Sequence, residues 1–184
     1  MTGDHYLWRK TYAYEPSARI PMLIRWPGNY VTARRGQILS NPVELRDILP
    51  TFLDMAGVSL DEKRFDGRSM LRLVRGKSEG WRAFIDLEHD LCYDRSNHWN
   101  ALTDGKVKYI FHALDGEEQL FDLKADPAEL RDLAREPEHQ RTLRLWRDRM
   151  VQHLSTRDAP FVVNGKLGLR PERFLYSPKY RGVA

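Results

Sequence analysis

The sequence predicts a mixed α/β chain in two parts: the end of an α/β core, then a small antiparallel sheet packed on a C-terminal helix. Three observations carry this reading. An apolar run, Ile20-Pro21-Met22-Leu23-Ile24-Arg25-Trp26, stops at Pro27-Gly28, the pattern of a strand buried on both faces. Two turn signals, Asp104-Gly105 and Asp115-Gly116, sit among β-formers. Finally, Leu143, Trp146, Met150 and Leu154 recur at helical spacing.

The elements follow in order. Residues 1–19 are polar and aromatic without a period, a loop meeting a helical turn at Glu15–Ala18. The run at 20–25 is then a buried strand, most naturally of a parallel sheet, and a basic turn at 28–36 leads to a second extended piece through Ile38 and Leu39. Asp47 as N-cap, Pro50 in the first turn and Gly57 past the end delimit a helix. Ile48, Phe52 and Met55 share one face of it, with Leu49, Leu53 and Ala56 beside them, so this helix is expected to be broadly buried over a sheet. Asp66-Gly67 and a short turn at Leu71–Val74 precede a change of regime after Gly76.

Beyond Trp81, the segments 82–88, 99–103, 106–113 and 118–123 read as the strands of an antiparallel meander. Residues 128–134 read as a helical turn, and the stripe from Leu143 to Leu154 as a helix lying on the meander. From Thr156 no period survives, which predicts an extended tail. The expected organisation is therefore an incomplete α/β core over 1–76, an antiparallel-sheet subdomain with its helix over 77–155, and a tail over 156–184. A buried parallel strand needs neighbours that residues 1–60 hardly supply, so the expectation is a truncated chain or a missing partner segment.

Composition narrows the function. With 41% apolar and 30% charged residues in 184, the chain is globular, and no apolar run approaches the length a bilayer requires. The amino terminus lacks the basic and apolar regions of a secretory leader. The single cysteine, Cys92, cannot form an internal disulfide or a thiolate zinc site, and is expected to be a small buried side chain. Net charge is +4, distributed as +4 over residues 1–36, −6 over 37–136 and +6 over 137–184. Basic ends favour anionic ligands, although Arg141, Arg144, Arg147 and Arg149 interleave with the apolar stripe and read as a solvated helix face. No aromatic-basic motif or recognition-helix pattern points to nucleic acid.

Five stretches carry a resemblance. Gly3-Asp4-His5-Tyr6-Leu7-Trp8-Arg9-Lys10, followed by Tyr14-Glu15 and Ser17-Ala18-Arg19-Ile20-Pro21, resembles the sulfatase pattern G-D-H-x-L-W-x-K, aromatic-Glu, S-x-R-I-P. Asp47 to Gly57 resembles the D-x-x-P-T-L-L-D-L-A-G helix of that family, and Asp66-Gly67-Arg68-Ser69 its D-G-x-S turn. Trp99 to Ile110 and Glu118 through Asp126-Pro127 resemble its C-terminal strands and the D-L-x-x-D-P-x-E turn. The resemblance implies the carboxy-terminal portion of an arylsulfatase-like sulfuric ester hydrolase of the alkaline phosphatase superfamily. It implies a formylglycine nucleophile and a divalent cation, usually calcium (Ca2+), on the sulfate oxygens.

Residue by residue, the resemblance makes Lys10 the sulfate-binding lysine, a point charge where negative charge develops. His89, Arg95 and His98 flank a loop expected to reach the mouth of the cleft, as substrate contacts. Departures from the family pattern matter too. The Cys/Ser-x-Pro-x-Arg nucleophile motif is absent, and Cys92-Tyr93-Asp94-Arg95 does not match it. The metal-binding Asp-His or Asp-Asn pair would lie upstream of residue 1, and Asp4-His5 belongs to the later G-D-H element. Metal ligands in this chain are therefore expected to be none, and the isolated chain is expected to be inactive.

The expected partners are a sulfated small molecule or glycan and the missing N-terminal segment of the same enzyme, with neither nucleic acid nor membrane. The compartment is open, since the resemblance allows a periplasmic or secreted parent. Two other readings remain: a phosphomonoester or phosphonate hydrolase of the same superfamily, and a non-catalytic anion-binding fragment.

Overall fold

The structure, a computed structural model, describes residues 1–27, 35–92, 94, 97–157 and 160–172. The chain falls into two compact units, residues 1–20 with 86–184, and residues 21–85.

In the first unit β1 (Ile85–His89), β2 (Trp99–Thr103), β3 (Val107–His112) and β4 (Glu118–Asp122) form a meander in that order. Ala101 pairs with Ile110, and Ile110 with Gln119. The connecting turns place Gly105 and Gly116 at φ near +80°, where a side chain would be strained. Alternation divides the sheet into two faces. Asn100, Leu102, Tyr109, Phe111 and Leu120 share one face, and Trp99, Ala101, Lys108, Ile110 and Phe121 share the other.

Both faces are covered. The expected stripe of Leu143, Trp146, Met150 and Leu154 is fully buried on helix α4 (Gln140–Leu154), which packs on β2 and β3. Arg147 of this helix forms a bidentate pair with Glu118, and the same carboxylate accepts from the Tyr109 hydroxyl. The opposite face is covered by the amino-terminal segment, whose Ala13 is buried in one cluster with Trp99, Ala101, Ile110 and Phe121. The turn at Glu15–Ala18 is helical as expected (α1).

Three expectations for this unit fail. Residues 128–134 are turns rather than a helix, because the Asp126 and Asp132 carboxylates capture backbone N–H groups of Arg131, Leu120 and Ala134. Leu133 then hydrogen-bonds along β4 through its N–H to the Leu120 carbonyl at 2.8 Å. The segment after Thr156 is not simply extended: β5 (Val162–Val163) and β6 (Lys166–Leu167) form a hairpin, and Arg170 beyond it is buried. The Arg170 N–H donates to the Ala113 carbonyl at 2.6 Å, which ties the hairpin to the end of β3. Cys92 is exposed, contrary to expectation, beside a short bridge to Asp94.

The second unit contains α2 (Ile48–Met55) and α3 (Leu71–Val74). Residues 20–27 are not a strand here. They have no ladder among the described residues, and Leu23 is 87% exposed, because the neighbours a parallel strand requires are not among them. Likewise α2 buries Pro50 and Thr51 but leaves Leu49 and Phe52 exposed, so the broad burial expected for it is not met.

The α2 motif and the Asp66-Gly67-Arg68-Ser69 turn dock on each other. Asp47 stands at the N-cap position of α2 as expected, but its side chain does not cap that helix: it also ends a 3₁₀ turn (Leu45–Asp47) and is wholly buried. Its carboxylate accepts from both terminal nitrogens of Arg82 at 2.6 Å, from the Arg68 N–H at 2.8 Å and from the Glu44 N–H at 2.9 Å. Ser69 donates to Asp54, and the Thr51 hydroxyl accepts from the Met70 N–H while donating to the Asp47 carbonyl. Gly67 is required by close approach, since a Cβ there would lie 1.9 Å from the Arg46 carbonyl oxygen. Among the described residues no helix is long and apolar enough to cross a membrane.

Candidate active site

Lys10 lies on a loop whose backbone is unusual. Gly3, His5, Tyr6 and Arg9 all have positive φ, and for the last three this is a strained conformation held by its surroundings. The holding contacts are local. Thr2 bridges Trp8, the Gly3 N–H donates to the Leu7 carbonyl, and the Met1 ammonium donates to the Arg9 carbonyl at 2.8 Å. Asp4 accepts from the Thr2 N–H, which lowers its pKa. His5 stacks on Tyr14 with ring centroids 4.2 Å apart. Lys10 itself is exposed and has no ion pair among the described residues, with Tyr6 and Trp8 exposed nearby in sequence. A free ammonium on a fixed backbone can meet an anion without breaking an internal pair.

Directly after Lys10 the chain is anchored to the meander. The Trp99 indole donates to the Thr11 carbonyl at 2.9 Å. The Lys108 ammonium is buried, donates to the Ala13 carbonyl at 2.8 Å, and pairs with Glu15 and Glu129 at 2.8 Å each. The Glu129 carboxylate also accepts from the Glu15 N–H. Sequence reasoning missed this cluster, though a lysine between Val107 and Tyr109 in an apolar strand was its signal.

Among the described residues, neither His89 nor His98 is brought together with Lys10 by a shared contact. His89 is half-buried, its Nδ1 is 3.0 Å from the Asn97 carbonyl oxygen, and it stacks on Trp99. His98 is buried, with Nδ1 2.9 Å from the Arg170 carbonyl oxygen. Its Nε2 accepts from Arg170 Nε at 3.3 Å, an arrangement that requires the neutral ring. Burial, and then the adjacent Arg170 charge, lower the His98 pKa. Burial likewise pushes Arg170 down to about 10, while its guanidinium donates to Asn100 and lies over the Phe161 ring. Arg95 lies outside the described residues.

The described residues do not fit a metal centre in this segment. The one carboxylate–histidine cluster of ligating reach among them, Glu136, Glu138 and His139, lies beyond β4, and Glu136 is committed to a bidentate pair with Arg131. Glu15 and Glu129 are both paired with Lys108.

Comparison with known proteins follows the same motifs. Residues 3–156 match the family model of the N-sulphoglucosamine sulphohydrolase C-terminal domain. An arylsulfatase of Clostridium perfringens is 36% identical over 167 residues, which is 91% of this chain and 34% of that protein. A choline-sulfatase of Rhizobium meliloti is 39% identical over 158 residues, 83% of this chain and 29% of that protein. The chain thus spans about a third of the length of these relatives. In fold it is similar to a phosphonate monoester hydrolase from Silicibacter pomeroyi, with TM-score 0.67 over 89% of this chain, 35% of that chain and 23% identity. It is also similar to a protein solved with its substrate D-glucosamine-2-N,6-O-disulfate, with TM-score 0.53 over 59% of this chain, 23% of that chain and 22% identity. Because that family model spans residues 3–156, which contain the glycine-tight turn, the docked helix and the meander, the chain belongs to the N-sulphoglucosamine sulphohydrolase C-terminal domain family.

Proposed function

We propose that this chain is the carboxy-terminal portion of a sulfatase that hydrolyses sulfate esters, and that Lys10 binds the sulfuryl group. The single observation that carries the reading is an exposed lysine, without an ion pair among the described residues, at the end of the matched G-D-H-x-L-W-x-K stretch on a strained and internally fixed loop. As sulfate-ester cleavage proceeds, charge builds on the sulfuryl and leaving oxygens, and a held ammonium stabilises it more than it stabilises the ground state. A divalent cation, calcium by resemblance, would neutralise the remaining sulfate oxygens. By the same resemblance, the cation ligands and the formylglycine nucleophile are expected outside the third of the relatives' length that this chain spans. The exposed Leu23, Ile38, Leu49 and Phe52 support this, since such apolar side chains fit a surface covered by further protein.

The substrate is a sulfated small molecule or glycan, in line with the arylsulfatase, the choline-sulfatase and the neighbour holding a sulfated glucosamine. His89 and Arg95 are proposed to line the substrate side. His98 joins them through the position it gives the strand, because both its ring nitrogens are engaged.

The test is a chimera in which residues 3–156 replace the matching third of the Clostridium perfringens arylsulfatase, assayed on 4-nitrophenyl sulfate. Lys10→Ala is expected to lower kcat by about 10²–10³-fold. Turnover within twofold of the parent chimera would remove Lys10 from the site. The phosphonate monoester hydrolase likeness favours a second reading, and a chimera that prefers a phosphonate monoester to the sulfate ester would establish it.

A further inference from the structure

We infer that Lys108, with Trp99, is a positioning residue for Lys10: the meander holds the anion-binding lysine in place through a buried ammonium. The inference rests on the Lys10 reading and adds the groups through which the sheet acts on it. Three acceptor groups lie 2.8 Å from the Lys108 ammonium: the Ala13 carbonyl, which takes a hydrogen bond, and the Glu15 and Glu129 carboxylates, which form ion pairs with it. Two of these acceptors belong to the segment that begins one residue after Lys10, and the third, Glu129, also accepts from the Glu15 N–H. Ala13 is only three residues from Lys10, a reach of about 11 Å at most.

Lys10 is also bracketed by its immediate neighbours. Thr11 gives its carbonyl to the Trp99 indole, and Arg9 exchanges backbone hydrogen bonds with Met1. Its backbone is therefore fixed on both sides while its side chain stays free.

Stability alone does not account for such a cluster. Desolvating three charges costs several kcal/mol, and apolar residues of similar volume commonly do as well or better. What the ionic cluster supplies is uniqueness. Ala13 and Glu15 meet Lys108 in one register only, whereas an apolar contact would tolerate sliding. A lysine that must meet a developing charge loses much of its effect if displaced by an ångström.

The first test uses the 184-residue chain and amide exchange. Lys108→Met, and the charge-balanced pair Lys108→Met with Glu129→Gln in case the single variant fails to fold, are expected to speed exchange at least tenfold in residues 3–15. Ile110, Leu120 and Met150 should stay within threefold. Unchanged exchange at 3–15 overturns the inference, and so does an even rise across the sheet and α4, which marks a general core role. The second test uses the chimera on 4-nitrophenyl sulfate. Lys108→Met should lower kcat tenfold or more with KM within twofold, and adding it to Lys10→Ala should cost nothing further. A multiplicative loss in that double variant would show that Lys108 does not act through Lys10. If Lys10→Ala alone has no effect, the functional reading fails while the exchange result still decides the anchoring.

Discussion

Asp47→Asn isolates the best-connected carboxylate of the second unit. Four donors converge on Asp47: two from Arg82 at 2.6 Å and the backbone N–H groups of Arg68 and Glu44. An asparagine has one acceptor oxygen, so its amide nitrogen would face a donor and the Arg82 charge would lose its closest counter-ion. Breaking a buried ion pair from one side costs about 3–5 kcal/mol. Glu44 remains 3.0 Å from Arg82 and places this case near the lower end, about 3 kcal/mol or roughly a hundredfold in the opening equilibrium. All the partners lie within residues 44–82, so amide exchange should accelerate about a hundredfold over 45–75 and hardly at all over 99–122. Acceleration below threefold over 45–75 would refute the reasoning, because it would mean that the four contacts contribute nothing net.

Gly67→Ala should cost about 2–3 kcal/mol in urea unfolding, since its Cβ would fall on the Arg46 carbonyl. Gly76→Ala, with φ +77° and open space around it, should cost about 1 kcal/mol, and equal costs would show that the close approach is unimportant. Met150→Ala should lower stability by about 2–4 kcal/mol, and an unchanged urea midpoint would contradict its burial under the sheet. The lowered His98 pKa means that the folded state binds fewer protons than the unfolded one. Its contribution is thus complete above about pH 6.5, the ordinary histidine value, and declines as pH falls toward the folded value. His98→Gln should flatten Tm between pH 5 and 7 relative to the parent, and parallel curves would count against the neutral ring.

What could be read from the sequence was what repeats. The 143–154 stripe and the paired Asp-Gly turns state their own geometry, and all four stripe residues are buried and the turns sit where expected. The run at 20–26 misleads because residue type records what a segment would bury against, not whether that surface is present. Asp47 has the spacing of a helix cap, but the arginine that claims it is 35 residues away. Arg170 meets His98 and Asn100 across about seventy residues, a distance at which no local pattern carries a signal. The role proposed for Lys10 rests on the motif around it, because an isolated exposed lysine has no distinguishing neighbours in sequence.

The two-sided burial of the meander also bears on synthesis. Residues 1–20 emerge from the ribosome long before the strands that receive them: Trp99 is 88 residues beyond Thr11 and Lys108 is 95 beyond Ala13. At about 5–20 residues per second that gap is roughly 5–20 s. During this delay Ala13 and Glu15 lack Lys108, and α4, which seals the other side of the sheet, is translated later still. Closure of the first unit therefore awaits α4, so a nascent chain halted before that helix should expose a sheet with one bare side to chaperones.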